Sequence, residues 1–412
     1  MGKLLQINPV IKENTSTGRI MRELSELAKA CGWESYAAFS GGRDKARNTS
    51  FQPLPVGGKL SVIIHAIATR IFDAHGLASW CATKRFVKKI KKIKPDIIHI
   101  HNIHGYFLNY KILFKYLKES GIPVIWSIHD CWLFTGHCYS FQAVGCERWK
   151  SGCGECPQKR AFPASYLFDR SAKNYRDKKD AFTTLPNITF VAISQWMRNE
   201  LKSSFLNSMT IEVIHNGIDL DLFKPSENKN IREVYGFGNR HVILGIASIW
   251  LKEKGFDDII ELSEKLSDNE VVVMVGRMTA QQKQAMPQRI IAIPRTDNAE
   301  QLAQIYSCAT AVVNATWQDN YPTINLESIA CGTPVITYKT GGSVESVSPK
   351  DHTGHIVERG DIDGIVKALR EIETIDRGFI RDCCREYAVK NFGKRERYME
   401  YIELYNKLKT EI

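Results

Sequence analysis

Short apolar runs alternate along the chain with stretches whose apolar residues recur every three or four positions. Lys3 to Asn8, Asp96 to His101 and Val124 to His129 read as extended, while Gly18 to Cys31 and Leu108 to Glu119 carry helical spacing. A second series begins after Lys224-Pro225. Val242 to Ile246, Val271 to Val275, Ala311 to Asn314 and Val335 to Tyr338 read as extended, and Phe256 to Leu266 and Ala299 to Cys308 as helical. This rhythm predicts parallel sheets, so the fold class is α/β with two Rossmann-like halves. Lys394 to Leu408, with Tyr398, Tyr401, Ile402, Tyr405 and Leu408, reads as an amphipathic terminal helix. His137 to Pro163 and Arg43 to Gly58 read as irregular, and no solenoid repeat or low-complexity stretch is found. Ligands of open α/β sheets bind beyond the carboxyl ends of the strands, where His129, Ser248, Gly276 and the segment at Asp319 fall. The halves are expected to face each other across a cleft.

At 412 residues the chain suits two or three domains, and 43% hydrophobic residues suit globular packing. The apolar run within Met1 to Gln6 is too short for a signal peptide, and Gln6 breaks the myristoylation pattern. No segment reaches spanning length, so a cytoplasmic location is expected. The net charge of +11 is uneven: Met1 to Pro225 holds 32 basic and 18 acidic residues, the remainder 24 and 27. Lys84, Arg85, Lys88, Lys89, Lys91, Lys92 and Lys94 form the densest basic cluster, interleaved with Phe86, Val87, Ile90 and Ile93. Two readings fit. One is an interfacial helix on anionic lipid at the inner face of the cell membrane; the other, favoured, is a Rossmann-type helix with a solvated basic face. No nucleic-acid motif accompanies the charge.

Eleven cysteines without a secretion signal argue against a disulfide framework. Cys131, Cys138, Cys146, Cys153 and Cys156 crowd one stretch, and Cys153-Gly154-Glu155-Cys156 has the spacing of a zinc knuckle. Cys138, Cys146, Cys153 and Cys156 could close a tetrahedral structural zinc site. Reduced thiols packed as small apolar groups are the alternative.

The segment Asp319-Asn320-Tyr321-Pro322-Thr323-Ile324-Asn325-Leu326-Glu327 sets two carboxylates eight positions apart across a loop-to-helix junction. Asn320 can cap the helix, Pro322 fits its first turn, and Gly332 with Pro334 ends it. Carboxylates suit sugar hydroxyls, and the unpaired N–H groups of a helix start suit phosphate oxygens. A capped surface helix with scattered acids is the bland alternative. Glu13 to Ile20 follows the first strand and opens a helix, so Gly18 can bring backbone N–H groups close to an anion, with Arg19 adding charge. His129 ends a strand and precedes Asp130, which could orient its ring or pair elsewhere. His99, His101 and His104 have a metal-like look but lack a carboxylate or cysteine set, so a polar strand end is the simpler reading. No Walker A loop, Gly-x-Ser-x-Gly elbow or Cys/His catalytic signature appears.

Trp317 to Glu345, including Ala330 to Ile336 and Gly341 to Glu345, resembles the donor-binding segment of retaining GT-B glycosyltransferases, specifically glycosyltransferase family 4. Asp319 stands where that family usually has Glu, and Ser248 where it commonly has Arg. His215 to Asp219 resembles the interdomain element, Lys254-Gly255-Phe256 the phosphate-binding Lys-Gly, and Ser127 to Asp130 the His-bearing strand end. The resemblance implies a GT-B fold. Residues 1–220 would form an acceptor domain with a Cys-rich loop at 131–156, residues 221–392 a nucleotide-sugar domain, and residues 393–412 a helix crossing back to the first. It further implies Lys254 on the diphosphate and Asp319 on the sugar, with Glu327 on the ribose and N–H groups from Asn320, Tyr321 and Thr323 around Pro322 assisting. Ser248 and Gly18 would line the donor site and His129 the transferred sugar. No metal is expected for transfer, since Asp219-Leu220-Asp221 resembles the acid pair of the GT-A class but two Rossmann-like halves argue against that fold. The expected partners are a nucleotide-diphosphate sugar and a glycan or lipid-linked acceptor in polysaccharide synthesis. A sugar-nucleotide epimerase and a catalytically silent binding subunit are the rival readings.

Overall fold

A computed structural model of the chain describes residues 1–13, 15–46, 49–226 and 230–410. Asn14 of the Gly18 loop, Arg47 and Asn48 of the Arg43 to Gly58 stretch, and the last two residues of the 393–412 segment lie outside the described residues. The chain forms two compact units, Met1–Ile214 with the chain's end from Tyr398, and His215–Arg397.

The first unit holds β1 (Gly2–Ile7), β2 (Trp33–Ser40), β3 (Gln52–Val56), β4 (Ile97–Ile100), β5 (Val124–Ile128), β6 (Ile188–Ala192) and β7 (Thr210–Val213). Its helices are α1 (Ser16–Ala30), α2 (Lys59–Phe72), α3 (Trp80–Ile93), α4 (Tyr110–Ser120), α5 (Ser171–Phe182) and α6 (Gln195–Lys202). The strands pair in parallel in the order β3-β2-β1-β4-β5-β6-β7. Period-two alternation divides their side chains between two cores, as a strand covered on both faces requires. Leu4, Ile97, Ile125 and Val191 join Ile20, Leu24 and Ala28 of α1 on one face; Leu5, Ile98, Trp126 and Phe190 join Phe86, Ile90, Leu113 and Phe114 on the other. Phe86 and Ile90 of α3 are fully buried, with Val87 and Ile93 packed against the same core. The apolar stripe of the basic helix therefore faces the protein, and its lysines face solvent.

The second unit holds α7 (Asn230–Val234), β8 (His241–Ile249), α8 (Phe256–Lys265), β9 (Glu270–Arg277), α9 (Ala280–Gln284), β10 (Ile290–Ile293), α10 (Ala299–Cys308) and β11 (Ala311–Asn314). It continues with α11 (Thr323–Ala330), β12 (Val335–Tyr338), β13 (Gly354–Val357), α12 (Ile362–Glu373) and α13 (Arg377–Asn391), and the chain ends with α14 (Lys394–Thr410). Its sheet is again parallel, in the order β10-β9-β8-β11-β12-β13. From Tyr398 onward α14 belongs to the first unit, where Tyr398, Tyr401, Ile402 and Tyr405 pack with Leu4 and Ile97. Tyr405 also meets His99 Nδ1 at 2.7 Å through its hydroxyl.

Candidate functional site

In the second unit the site grows from two strand ends. Gly255 adopts a positive φ of 74°, and a Cβ there would collide with the Ala315 carbonyl, so glycine lets the start of α8 close on the end of β11. The Trp317 N–H donates to the Glu253 carbonyl at 2.9 Å and locks the two loops. Lys254 is thereby held over Asp319: its Nζ lies 2.9 Å from Asp319 Oδ2 and 3.5 Å from Thr316 Oγ1. The pair is open, with the lysine side chain 38% and the aspartate side chain 22% exposed. An ion pair this accessible contributes roughly 1 kcal/mol or less, so exchanging it for a phosphate costs little.

Asp319 stands before α11 and Glu327 on the second turn of that helix. Asn320 is not the cap. Pro322 holds that position, because its ring fixes φ and keeps the preceding residue out of the helical region, so α11 starts only at Thr323. Asp319 Oδ1 instead accepts the Tyr321 N–H at 3.3 Å, and its carbonyl accepts the Gly342 N–H at 3.1 Å. Glu327 is buried and accepts the Tyr306 hydroxyl at 3.0 Å. Burial and the Glu327 charge push the Tyr306 pKa far up, so its hydroxyl remains a donor. Beside it, buried Asn325 bridges Asn314 (2.8 Å) and Ser346 (3.0 Å), tying α11 to β11 and to the Gly341–Ser346 turn.

Two contacts are not encoded locally in the chain. Ser248 is exposed near the end of β8, and the Arg277 guanidinium reaches its carbonyl through Nε at 3.4 Å. Arg277 ends the neighbouring strand β9 opposite Ile249, past a register shift that bends β8. A cation at the carboxyl end of a strand was the available signal, but the pairing of β8 with β9 was needed to place it beside Ser248. The second is the pairing of His215, the first residue of the interdomain-like element: its Nε2 lies 3.2 Å from Glu345 Oε2 and its ring sits 5.0 Å from that of buried Tyr321.

In the first unit, Gly18 lies in the opening turn of α1, where a Cβ would collide with Thr15 Oγ1 and the Lys12 carbonyl. His129 follows β5. Asp130 does not orient it: that carboxylate pairs with His104 at 2.7 Å and accepts the Trp132 N–H at 3.0 Å. Instead His129 Nε2 lies 3.2 Å from His101 Nδ1, and His101 Nε2 lies 2.9 Å from Gln6 Oε1. The Gln6 amide nitrogen donates to the Met21 carbonyl and to Ser25, so its oxygen must accept from His101. The shared proton then sits on His129 Nε2, and Nδ1 is an acceptor. Burial lowers the His129 pKa to about 4, so the ring is neutral near pH 7. His99 bonds Tyr405 and Ser127, and with His101 it forms a satisfied polar strand end.

Cys138, Cys146, Cys153 and Cys156 line one cavity of 20 Å³. Among the described residues no three His, Cys, Asp or Glu stand together as a metal-holding group. The neighbouring Cys138 thiol lowers the Cys156 pKa, while burial raises that of Cys153 to about 11. Gly136 donates its N–H to Cys153 Sγ at 3.2 Å. The zinc expectation gains no support from this arrangement, and none of the four is in a disulfide.

The Glycosyltransferase Family 4 model matches residues 17–222, half of the chain, and the model for Glycosyl transferases group 1 matches residues 227–390. The chain belongs to glycosyltransferase family 4. Among curated relatives of this family 4 protein, Escherichia coli WcaC, named as a colanic acid biosynthesis glycosyl transferase, is 25% identical over 53% of this chain and 55% of its own. A GDP-mannose-dependent phosphatidylinositol monomannoside mannosyltransferase of Mycolicibacterium smegmatis is 27% identical over 53% and 61%. The chain thus spans somewhat over half the length of these two relatives. Two solved structures are similar throughout. Sucrose-phosphate synthase from Thermosynechococcus elongatus has a TM-score of 0.73 at 16% identity, covering 100% of both chains. Anabaena Alr3699/HepE, solved with UDP and glucose, has a TM-score of 0.69 at 14% identity, covering 99% of this chain and 100% of that one. These likenesses establish the fold, two parallel-sheet Rossmann-like domains of the GT-B class.

Proposed function

We propose that this family 4 protein is a retaining, metal-independent glycosyltransferase that moves a sugar from a nucleotide diphosphate to a glycan or lipid-linked acceptor in polysaccharide or glycolipid synthesis. The observation that carries the reading is the open Lys254–Asp319 pair beside the N-terminus of α11, with Glu327 inside the same helix. On donor binding the Lys254 ammonium exchanges Asp319 for diphosphate oxygens, and Asp319 turns to the sugar hydroxyls. Glu327, held by Tyr306, accepts from the ribose, and N–H groups of the Asn320–Thr323 segment meet phosphate oxygen. Arg277 supplies beside Ser248 a second cation on the leaving diphosphate, whose stabilisation lowers the barrier. Family resemblance implies front-face transfer, in which a departing phosphate oxygen takes the acceptor's proton. His129, neutral with Nδ1 as acceptor, is proposed to take a hydroxyl hydrogen bond rather than to carry charge. A similar structure solved with UDP and glucose, and a relative named for GDP-mannose, support a nucleotide-sugar donor.

The test is mass spectrometry together with NMR of the products from a panel of donors with lipid-linked acceptors, the first reading transfer and the second anomeric and ring configuration. A glycosylated acceptor with the donor's anomeric configuration is expected. Isomerised free sugar with released nucleotide diphosphate would establish an epimerase, and donor binding without turnover a silent subunit; either result refutes the proposal.

A further inference from the structure

Helix α2 is inside out. Its buried side chains are His65 and Thr69, while Leu60, Ile63, Ile64 and Ile67 are between 49 and 70% exposed. The spacing of these four places them on one helical face. The polar side is fastened inward: His65 Nε2 accepts the Gly76 N–H at 3.0 Å, its Nδ1 meets Ser79 Oγ at 2.9 Å, and Thr69 Oγ1 donates to the His65 carbonyl at 2.9 Å. Rolling the helix to hide its aliphatic face would break the two buried His65 bonds. The apolar surface continues through Phe72, stacked on Phe168 with ring centroids 5.7 Å apart, and Trp80, 65% exposed at the start of α3.

Behind this face lies a cavity of 1160 Å³, walled by Ile64, Phe72, Leu77, Trp80 and Phe86 and lined by four cations without a single acid. Lys111 and Arg170 are paired with Asp177. Arg85 and Lys89, exposed on α3, carry no ion pair among the described residues. A large contiguous apolar surface on a soluble unit marks a docking site, and its rim of one sign selects the partner. A second copy would bring the same excess of positive charge. A phospholipid brings hydrocarbon and an anionic phosphate together.

We propose that this face docks into an anionic bilayer. Helix α2 lies along the membrane surface with its aliphatic face at the boundary of headgroups and acyl chains, the cavity takes one hydrocarbon chain of a phospholipid, and Arg85 and Lys89 meet its phosphate. The lipid-facing element is thus α2, whose apolar residues are exposed, and not the stripe of α3, which is in the core. Docking is independent of donor chemistry, so vesicle binding and sugar transfer succeed or fail separately.

Flotation of the full chain with phosphatidylglycerol or phosphatidylcholine vesicles tests this. Wild type should bind the anionic vesicles, less so at high salt, and the neutral ones poorly. Ile63→Glu with Ile67→Glu should lower partition at least tenfold while circular dichroism stays native, and Arg85→Gln with Lys89→Gln should cost roughly fivefold per charge. In wild type, brominated acyl chains should quench Trp80, read as the difference from Trp80→Phe, which tests the geometry without the glutamate variant. Indifference of wild type to anionic vesicles at low salt, unchanged partition of the double glutamate variant, or unquenched Trp80 overturns the proposal. So does a lipid-free dimer that the glutamate variant abolishes, which would assign the face to a second copy.

Discussion

Acid should unfold the N-terminal unit before the other, because that unit buries a set of neutral imidazoles. Burial lowers the pKa of His65 to about 4, of His99 to about 3 and of His129 to about 4, and drives those of His75 and His101 well down. An unfolded chain protonates these rings as pH falls past about 6.5, while the folded unit resists until near its own lower values. Their contribution is therefore complete above about pH 6.5 and is lost as pH falls from there toward 4. At pH 5 a ring with a folded pKa of 4 in place of 6.5 loses about 2 kcal/mol of stability. His65, His99 and His129 together lose on the order of 6 kcal/mol, a large part of the 5–15 kcal/mol typical of a domain. His137 works the other way. Burial pulls it down, but the Asp73 carboxylate 2.6 Å away raises its pKa overall, so its contribution is present below about pH 6.5 and offsets part of the loss. With a urea m-value of about 3 kcal/mol/M, the midpoint should fall by about 2 M between pH 7.5 and pH 5. Hydrogen exchange read peptide by peptide across a urea series separates the units, and the second unit, which contains none of these five histidines, is the internal control. A first-unit midpoint unchanged between the two pH values, or a parallel fall in both units, would refute the assignment of buried neutral rings.

Further consequences concern the donor site and the sheet. Asp319→Ala should lower kcat about 100-fold while nucleotide affinity, by calorimetry, changes little, since its proposed contact is the sugar. Glu327→Gln should weaken donor binding about tenfold with a native melting temperature, because an amide oxygen accepts from ribose hydroxyls less strongly than a carboxylate; unchanged affinity would remove Glu327 from the site. Tyr405→Phe leaves His99 Nδ1 unpartnered and should cost about 1–3 kcal/mol in chemical denaturation. Transfer should survive EDTA; activity lost and restored by manganese would contradict metal independence, and elemental analysis of the purified chain decides whether the four thiols hold zinc.

The alternation of strands and helices is legible in the residues alone, because a parallel strand buried on both faces must be an apolar run whatever it packs against. Ala299–Cys308, Ala311–Asn314 and Val335–Tyr338 were legible to the residue. The sequence also placed Asp319 ahead of its helix and Glu327 inside it, since both positions follow from local chain geometry. It did not show β3, whose two prolines read as loop and are tolerated only at the sheet edge where this strand lies. The long-range pairings come from packing in three dimensions, and folding alone supplies them: Lys254 meets Asp319 across 65 positions and His215 meets Glu345 across 130, separations that no periodicity encodes. Packing set Arg277 beside Ser248 through the order of two strands, and gave Asp130 to His104 rather than to its neighbour His129. It also turned the apolar stripe of α3 inward and that of α2 outward, because a helical pattern fixes which residues share a face, and only the packed neighbours fix where that face points.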